Sequence, residues 1–221
     1  FKDVYFRYPD ASEDVLENIS FTMQPGTTTA IIGSTGSGKS TLVNLIPRFF
    51  DVTSGKITFD GIDIRDLSLH ELRKNIGFVP QKGILFTGTI ADNIKLGDKT
   101  LTNEQVIKAA KVAQADDFIN EKEEKYDSEI AQGGTNVSGG QKQRLSIARA
   151  IAIDPKVFVF DDSFSALDYK TDVTLRKELS KITKNKSILI VAQRISTVLH
   201  ADHIYKEIAL SQLSKEELED E

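Results

Sequence analysis

Residues 33–41 read GSTGSGKST, and they constrain this chain more than any other stretch. They satisfy the spacing G-x-x-x-x-G-K-[ST]. The apolar, β-branched run TTTAIIG precedes them and the helical pattern STLVNLIPRFF follows. A strand that runs into glycines and out into a helix makes a cradle for phosphate. Its backbone N–H groups turn inward and the helix dipole adds to them. Gly33, Ser34, Thr35, Gly36, Ser37, Gly38, Lys39, Ser40 and Thr41 are therefore candidate nucleotide-binding residues. Lys39 supplies a point charge for the β- and γ-phosphates, and Ser40 a hydroxyl for Mg²⁺. The alternative, an ordinary Gly-rich turn, does not account for the strand and helix on either side.

A second stretch fits the first. Residues 157–168 are VFVFDDSFSALD, an apolar strand ending in two carboxylates. Asp161 stands where a carboxylate holds Mg²⁺ directly or through water. Together with the phosphate loop it points to a Mg·ATP or Mg·GTP site. Spacing alone assigns no role to Asp162.

Composition narrows the partners. The 221 residues carry a formal charge of −5, so no basic field supports nucleic-acid binding. There is no Cys, which excludes disulfides and thiolate-bound metals, and His70, His200 and His203 form no ligand-like cluster. No apolar run reaches the length of a membrane span, and no signal peptide is visible. The chain opens inside an expected strand, as a piece cut from a longer protein would.

The chain reads as α/β. Strands are expected over 1–8, 15–23, 27–33, the end of 70–81, 154–162 and 187–193, with a hairpin about the Asp60-Gly61 turn. Helices are expected over 40–50, the start of 70–81, 103–122, 138–153 and 171–184, with a short one at 90–96. Residues 88–151 are helical in spacing with no convincing strand, an insert in a parallel-sheet core. The apolar stripe of 103–122 is expected to pack in the core, Phe49 and Phe50 to finish a core helix, and the acidic tail to end as a helix. Arg144 and Arg149 are expected in structural salt bridges or at the surface.

Residues 136–144, NVSGGQKQR, open one of these helices. With the phosphate loop, they resemble the signature of ATP-binding-cassette (ABC) ATPases, and the likeness extends over nearly the whole chain. The resemblance implies a single domain with a P-loop NTPase (RecA-like) core. The core and an antiparallel β subdomain fall in 1–82 and 152–204, a helical signature subdomain in 83–151, and a C-terminal tail in 205–221. It implies that Tyr8 stacks on adenine and that Gln81 ligates Mg²⁺ and couples the nucleotide to a membrane domain. It also implies head-to-tail dimers in which Ser138, Gly139, Gly140 and Gln141 act on the partner's ATP, while Asp168 crosses the interface.

The phrases VYFRYP, LFTGTIADNI and IAQGGTNVSGGQKQRLSIARAI resemble exporter cassettes, most of all one half of bacterial heterodimeric multidrug-type exporters. The implied partners are a membrane-spanning domain of the same polypeptide and a second, catalytically intact half-transporter. The implied place is the cytoplasmic side of a bacterial membrane, and the isolated domain is expected as a monomer without ATP.

Asp162 stands where catalytic members carry Glu, and Gln193 where they carry a switch His. Gln132 stands where exporters often have Glu. Asp is one methylene shorter than Glu, and an amide does not usefully titrate. Both changes imply a site that binds ATP and hydrolyses it slowly. A hydrolysing homodimer and a soluble ABC ATPase of DNA repair or translation are the alternatives. Finally, the family continues after ADHI with a strand, a glycine turn, another strand and a GTH-like segment. Here Tyr205 follows Ile204 at once, so a segment is expected to be missing there.

Overall fold

The computed structural model describes residues 1–206 and the backbone of 211–212. The chain begins with strands β1 (Lys2–Phe6), β2 (Leu16–Ile19) and β3 (Thr28–Ile32), then helix α1 (Lys39–Leu45). Next come β4 (Ser54–Lys56), β5 (Thr58–Phe59), β6 (Ile62–Asp63), α2 (Leu69–Arg73) and β7 (Ile76–Val79). The insert contains β8 (Gly88–Thr89), α3 (Ile90–Ile94), α4 (Asn103–Val112), α5 (Asp116–Asn120), β9 (Glu129–Ile130) and α6 (Gly139–Ala152). The core resumes with β10 (Val157–Asp161), α7 (Tyr169–Ile182), β11 (Ser187–Ala192), β12 (His203–Lys206) and β13 (Ser211–Gln212).

The central sheet has the order β13-β12-β3-β11-β10-β7, and every pair in it is parallel except β12 with β13. Its middle strands read as unbroken apolar runs because each face is covered. Phe158 and Phe160 of β10 and Ile188 and Ile190 of β11 join a core shared with α4, α6 and α7. The residues between them, Val159, Leu189 and Val191, join a second core with α1 and the antiparallel strands. A smaller antiparallel sheet, β2-β1-β4, closes that second side. Asp60 and Gly61 both have positive φ, which makes the turn between β5 and β6 the expected hairpin.

The structure departs from the sequence reading in several places. The helix expected over 103–122 is two helices, broken at Gln114, whose φ is 57°. The Ala115 amide reaches back to the Ala110 carbonyl at 2.8 Å, the helix-ending pattern that usually employs glycine. Arg144 Nη1 donates to the Gln114 carbonyl at 2.7 Å and fixes the break from outside. The expected helix 40–50 stops at Leu45, because Pro47 cannot donate and Arg48 takes a φ of 55°. Phe49 and Phe50 therefore do not finish a core helix; they are 49% and 38% exposed. Phe49 lies edge-on to Phe78, and Phe50 packs edge-on to Tyr8. The insert does contain strand, since β8 and β9 pair as a short antiparallel ladder. Strand β12 includes Ile204 and Tyr205, which pair with Ala30 and Ile31. The expected helical end of the tail lies outside the described residues.

Candidate functional site

Strands β3, β11, β10 and β7 lie side by side and parallel, so their carboxyl ends share one edge. That is the edge where open α/β sheets bind ligands. The phosphate loop leaves β3, and Gln193 follows β11. Asp161 ends β10 with Asp162 next to it, and Gln81 comes just after β7. Topology thus gathers four distant segments around one cavity of about 270 Å³, which takes in Thr35, Lys39, Ser40, Gln81, Asp161, Asp162 and Gln193.

Two glycines make the loop's path possible. Gly36 and Gly38 have φ of +87° and +83°, a region costly for other residues. At Gly38 a Cβ would also stand 3.2 Å from the Val15 carbonyl oxygen. The loop closes around Lys39, which is only 9% exposed. Its Nζ donates to the Gly33 carbonyl at 2.7 Å, to the Ser34 carbonyl, and to Ser37 Oγ at 3.0 Å. The ammonium is thereby centred in the ring of the loop.

Ser40 Oγ donates to Asp161 Oδ1 at 3.1 Å, which joins the phosphate loop to the end of β10. Asp161 is 7% exposed. Burial raises its pKa above the ordinary carboxylate value; the Ser40 bond opposes this, the Asp162 charge adds to it, and Lys39 opposes it.

Asp162 is half-buried, with its backbone at φ +44°. That left-handed geometry is tolerated by Asp better than by most residues. The backbone is held on both sides. The Asp162 amide donates to the Val191 carbonyl at 2.8 Å, and the Asp162 carbonyl accepts from Ser165 Oγ at 2.8 Å. Its carboxylate is held less firmly: Gln81 Nε2 donates to Oδ2 at 3.4 Å. Gln193 is exposed, and its Oε1 accepts from Thr35 Oγ1, also at 3.4 Å.

Tyr8 lies beside this cavity, with its hydroxyl 3.0 Å from Thr41 Oγ1 and its ring edge-on to Phe6 and Phe50. Ser138–Gln141 are elsewhere, at the start of α6. The Ser138 hydroxyl caps the helix by accepting from the Gln141 amide at 3.2 Å, while Gln141 Oε1 accepts from the Ser138 amide at 2.9 Å. This box uses the hydroxyl's oxygen and leaves its hydrogen to donate outward. Ser138 and Gly139 are exposed. Asp168 caps α7, accepting from the Thr171 amide at 3.0 Å and from Thr171 Oγ1 at 2.6 Å. These bonds hold its carboxyl below the ordinary range.

Arg144 and Arg149 are structural, as expected, but in neither of the expected ways. Arg149 donates to the Asn93 and Ile84 carbonyls at 2.8 and 3.0 Å, and burial pushes its pKa down to about 10. Arg144 lies over the Phe118 ring.

Sequence reasoning missed two buried polar residues near the site. Ser163 Oγ donates to the Val79 carbonyl at 2.8 Å, and Gln143 Nε2 donates to the Pro80 carbonyl at 3.0 Å. Gln143 occupies the same helical stripe as Ile147 and Ile151, so a polar residue in an apolar pattern was the available signal.

The sequence pattern of the family described as "ABC transporter" matches residues 16–165. An uncharacterized ABC transporter ATP-binding protein of Mycobacterium tuberculosis is 48% identical over 202 residues, covering 90% of this chain and 34% of the relative. A putative multidrug export ATP-binding/permease protein of Staphylococcus aureus is 46% identical over 201 residues, covering 91% of this chain and 35% of the relative. A solved structure of a bacterial Atm1-family ABC exporter with ATP bound superposes with a TM-score of 0.93 at 34% identity, over 99% of this chain and 38% of that one. The chain thus spans about a third of the length of the curated relatives it matches.

Proposed function

The chain belongs to the ABC transporter family, and from that premise we propose that it is the nucleotide-binding domain of an exporter whose own site holds Mg·ATP and hydrolyses it slowly. The observation that carries this reading is the pairing of a complete phosphate loop with Asp162 on a fixed backbone and Gln193 at the same cavity.

On the binding side, the loop amides, Lys39 and the α1 terminus take the phosphates, and Tyr8 takes the adenine. The donor set fits Mg²⁺. Ser40 Oγ and Asp161 Oδ1 are hard oxygens 3.1 Å apart, and a cation there offsets the charge that burial disfavours on Asp161. Among the described residues no cluster of His, Cys, Asp and Glu holds a metal alone, so Mg²⁺ enters with the phosphates. Gln81 is the third protein ligand proposed for it. When bound, Mg²⁺ neutralises charge developing on the phosphoryl oxygens.

On the hydrolytic side, Asp162 is the group that would polarise the attacking water. Replacing the family's Glu by Asp draws that carboxylate back by about 1 Å, a displacement that can cost about a hundredfold in rate. Backbone movement does not easily restore the reach, because the Asp162 amide and carbonyl are both bonded. Gln193 can accept or donate a hydrogen bond but carries no proton between groups at neutral pH.

The signature is intact and faces outward. Ser138 and the exposed amide of Gly139 suit the γ-phosphate of a second cassette in a head-to-tail dimer, with Asp168 at the crossing. The chain then lends a weak catalytic half to one site and a complete signature to the other. This requires a different partner chain with Glu and His. The membrane helices belong to a further part of the same polypeptide, as in the ATP-binding/permease relative. Among the described residues no helix is long and apolar enough to cross a membrane. The cassette sits on the cytoplasmic face of a bacterial membrane.

The test is hydrolysis by the assembled two-chain transporter. Removing the partner's catalytic Glu is expected to abolish turnover, whereas Asp162→Asn in this chain changes it by less than about twofold. Turnover that survives loss of the partner's Glu would establish the hydrolysing homodimer-like alternative instead.

A further inference from the structure

Strand β7 ends at Val79, so the Val79 and Pro80 carbonyls need partners outside the ladder. Ser163, wholly buried just after the Asp161–Asp162 pair, donates to Val79. The next carbonyl, on Pro80, is taken by the side chain of Gln143 on α6, which is 1% exposed. Two more features of α6 hold the same loop. Arg149 Nη1 donates to the Ile84 carbonyl at 3.0 Å, and Gly83 lies so close that a Cβ there would stand 2.7 Å from the Lys142 carbonyl. The loop carrying Gln81 is therefore docked on the helix whose first turn is the signature.

The geometry makes this docking consequential. The capping box of Ser138 and Gln141 fixes the start of α6, and Gln143 follows within the next turn. A helix moves as a unit, so a shift at Pro80 is carried to Ser138 and a shift at Ser138 to Pro80. The Gln143–Pro80 bond resists being left behind, because the buried Gln143 amide would lose its partner, while the half-buried Pro80 carbonyl would keep only the Ser163 hydroxyl at 3.5 Å. At the loop's tip, Gln81 Nε2 meets Asp162 Oδ2 at 3.4 Å, the outer limit of a hydrogen bond. A displacement of a fraction of an ångström makes or breaks that contact.

We propose that Gln143 is a positioning residue that couples ATP held at this chain's own phosphate loop, through the Gln81 loop, to the placement of Ser138–Gln141 against the partner's ATP. The inference rests on the head-to-tail reading above and gives the slow site a role, because ATP retained there sets the signature for hydrolysis across the interface. The two-state element is the Gln81 loop with α6 docked on it, moving together, with the Gln81–Asp162 contact made in one state and broken in the other.

A double-mutant cycle in the assembled two-chain transporter tests this. Lys39→Ala weakens ATP retention at this chain's own site, and Gln143→Met keeps side-chain length while removing the donor. Each alone is expected to lower kcat at the partner's site about tenfold, within the usual span of coupling between sites. Gln143→Met is expected to leave KM for ATP within about twofold, a split that loss of stability alone does not produce. Together the two substitutions are expected to cost no more than either one. Additive losses, or a Gln143→Met enzyme with unchanged kcat, would overturn the proposal. If the Met variant does not fold, Gln143→Asn, which draws the amide back, is expected to show the same non-additivity. Ser138→Ala separates the role of Gln143 from the dimer geometry. If it lowers kcat while the cycle is additive, only the role of Gln143 fails; if it has no effect, the head-to-tail reading fails with it.

Discussion

Lys39 and Asp161, on the phosphate wall of the cleft, are buried and make bonds of 2.7 to 3.1 Å to their own loop and to Ser40. Gln81 and Gln193, on the other wall of the same cavity, are exposed, and their side-chain contacts, Gln81 with Asp162 and Gln193 with Thr35 of the phosphate loop, are each 3.4 Å long. The two walls were built from the same sheet edge, so topology does not explain the difference. Side-chain chemistry does. A buried charge must be paired or it costs several kcal/mol, so the binding wall is organised before any ligand arrives. The groups proposed above for hydrolysis, Asp162, Gln81 and Gln193, are one carboxylate and two amides, none of which forces its neighbours into place. Preorganisation favours binding, while the chemical step depends on groups aligned in the transition state.

The contrast should narrow most under substitutions that rebuild the weak wall. Asp162→Glu combined with Gln193→His is expected to raise hydrolysis at this chain's site about a hundredfold, recovering the misplacement cost. Single-site turnover, measured with the partner's base removed, checks it. An unchanged rate would mean that the two walls differ for another reason.

Damaging the strong wall should have a smaller effect, and on affinity. Lys39→Ala removes a charge-assisted contact to phosphate, worth about 1.5–3 kcal/mol, so equilibrium ATP binding should weaken about ten- to a hundredfold. Asp161→Asn separates binding from stability. Burial disfavours the ionised carboxylate, so the neutral amide should raise the melting temperature of the ligand-free chain, by about 2–4 °C if about 1 kcal/mol is recovered. It should also weaken the dependence of nucleotide binding on Mg²⁺.

The smallest effect expected serves as a control away from both walls. Thr89 and Asp92 form the capping box of α3, and their mutual hydrogen bonds hold the Asp92 carboxyl below its ordinary value of 3.8. A carboxylate with a depressed folded value contributes stability that is full above the unfolded value and is lost as pH falls through the folded one. Asp92→Asn should therefore flatten the acid limb of the stability curve below pH 3.8. Thr89→Ala should cost about 1 kcal/mol at neutral pH, with ATP affinity unaltered.

How much of this was legible in the sequence depended on whether a local pattern dictated it. The phosphate loop, α6, α7 and the apolar runs of β3, β10 and β11 were legible because period and spacing fix them. Lys39, Ser40 and Asp161 were legible from motif and strand context, whereas Gln81, Asp162 and Gln193 were assigned to the site only through the resemblance to ABC ATPases. The break at Gln114 was not, because the residue at the left-handed position is not glycine and the arginine that secures it is 30 positions away. Phe49 and Phe50 misled for a related reason. Their apolar character continued the pattern of α1, but Pro47 and Arg48 turn the chain before they are reached. The fixed backbone of Asp162 was invisible too, since the Val191 carbonyl that holds its amide lies on another strand, β11.

On the proposed function, this chain's cleft retains ATP without converting it. The direct measurement is the identity of the nucleotide held there. The two-chain transporter would be allowed to turn over with a photo-reactive ATP analogue, the label on this chain cross-linked, and the attached nucleotide resolved as triphosphate or diphosphate. Triphosphate retained on this chain while the partner's site accumulates diphosphate is the expected result. Diphosphate on this chain in equal measure would contradict the account.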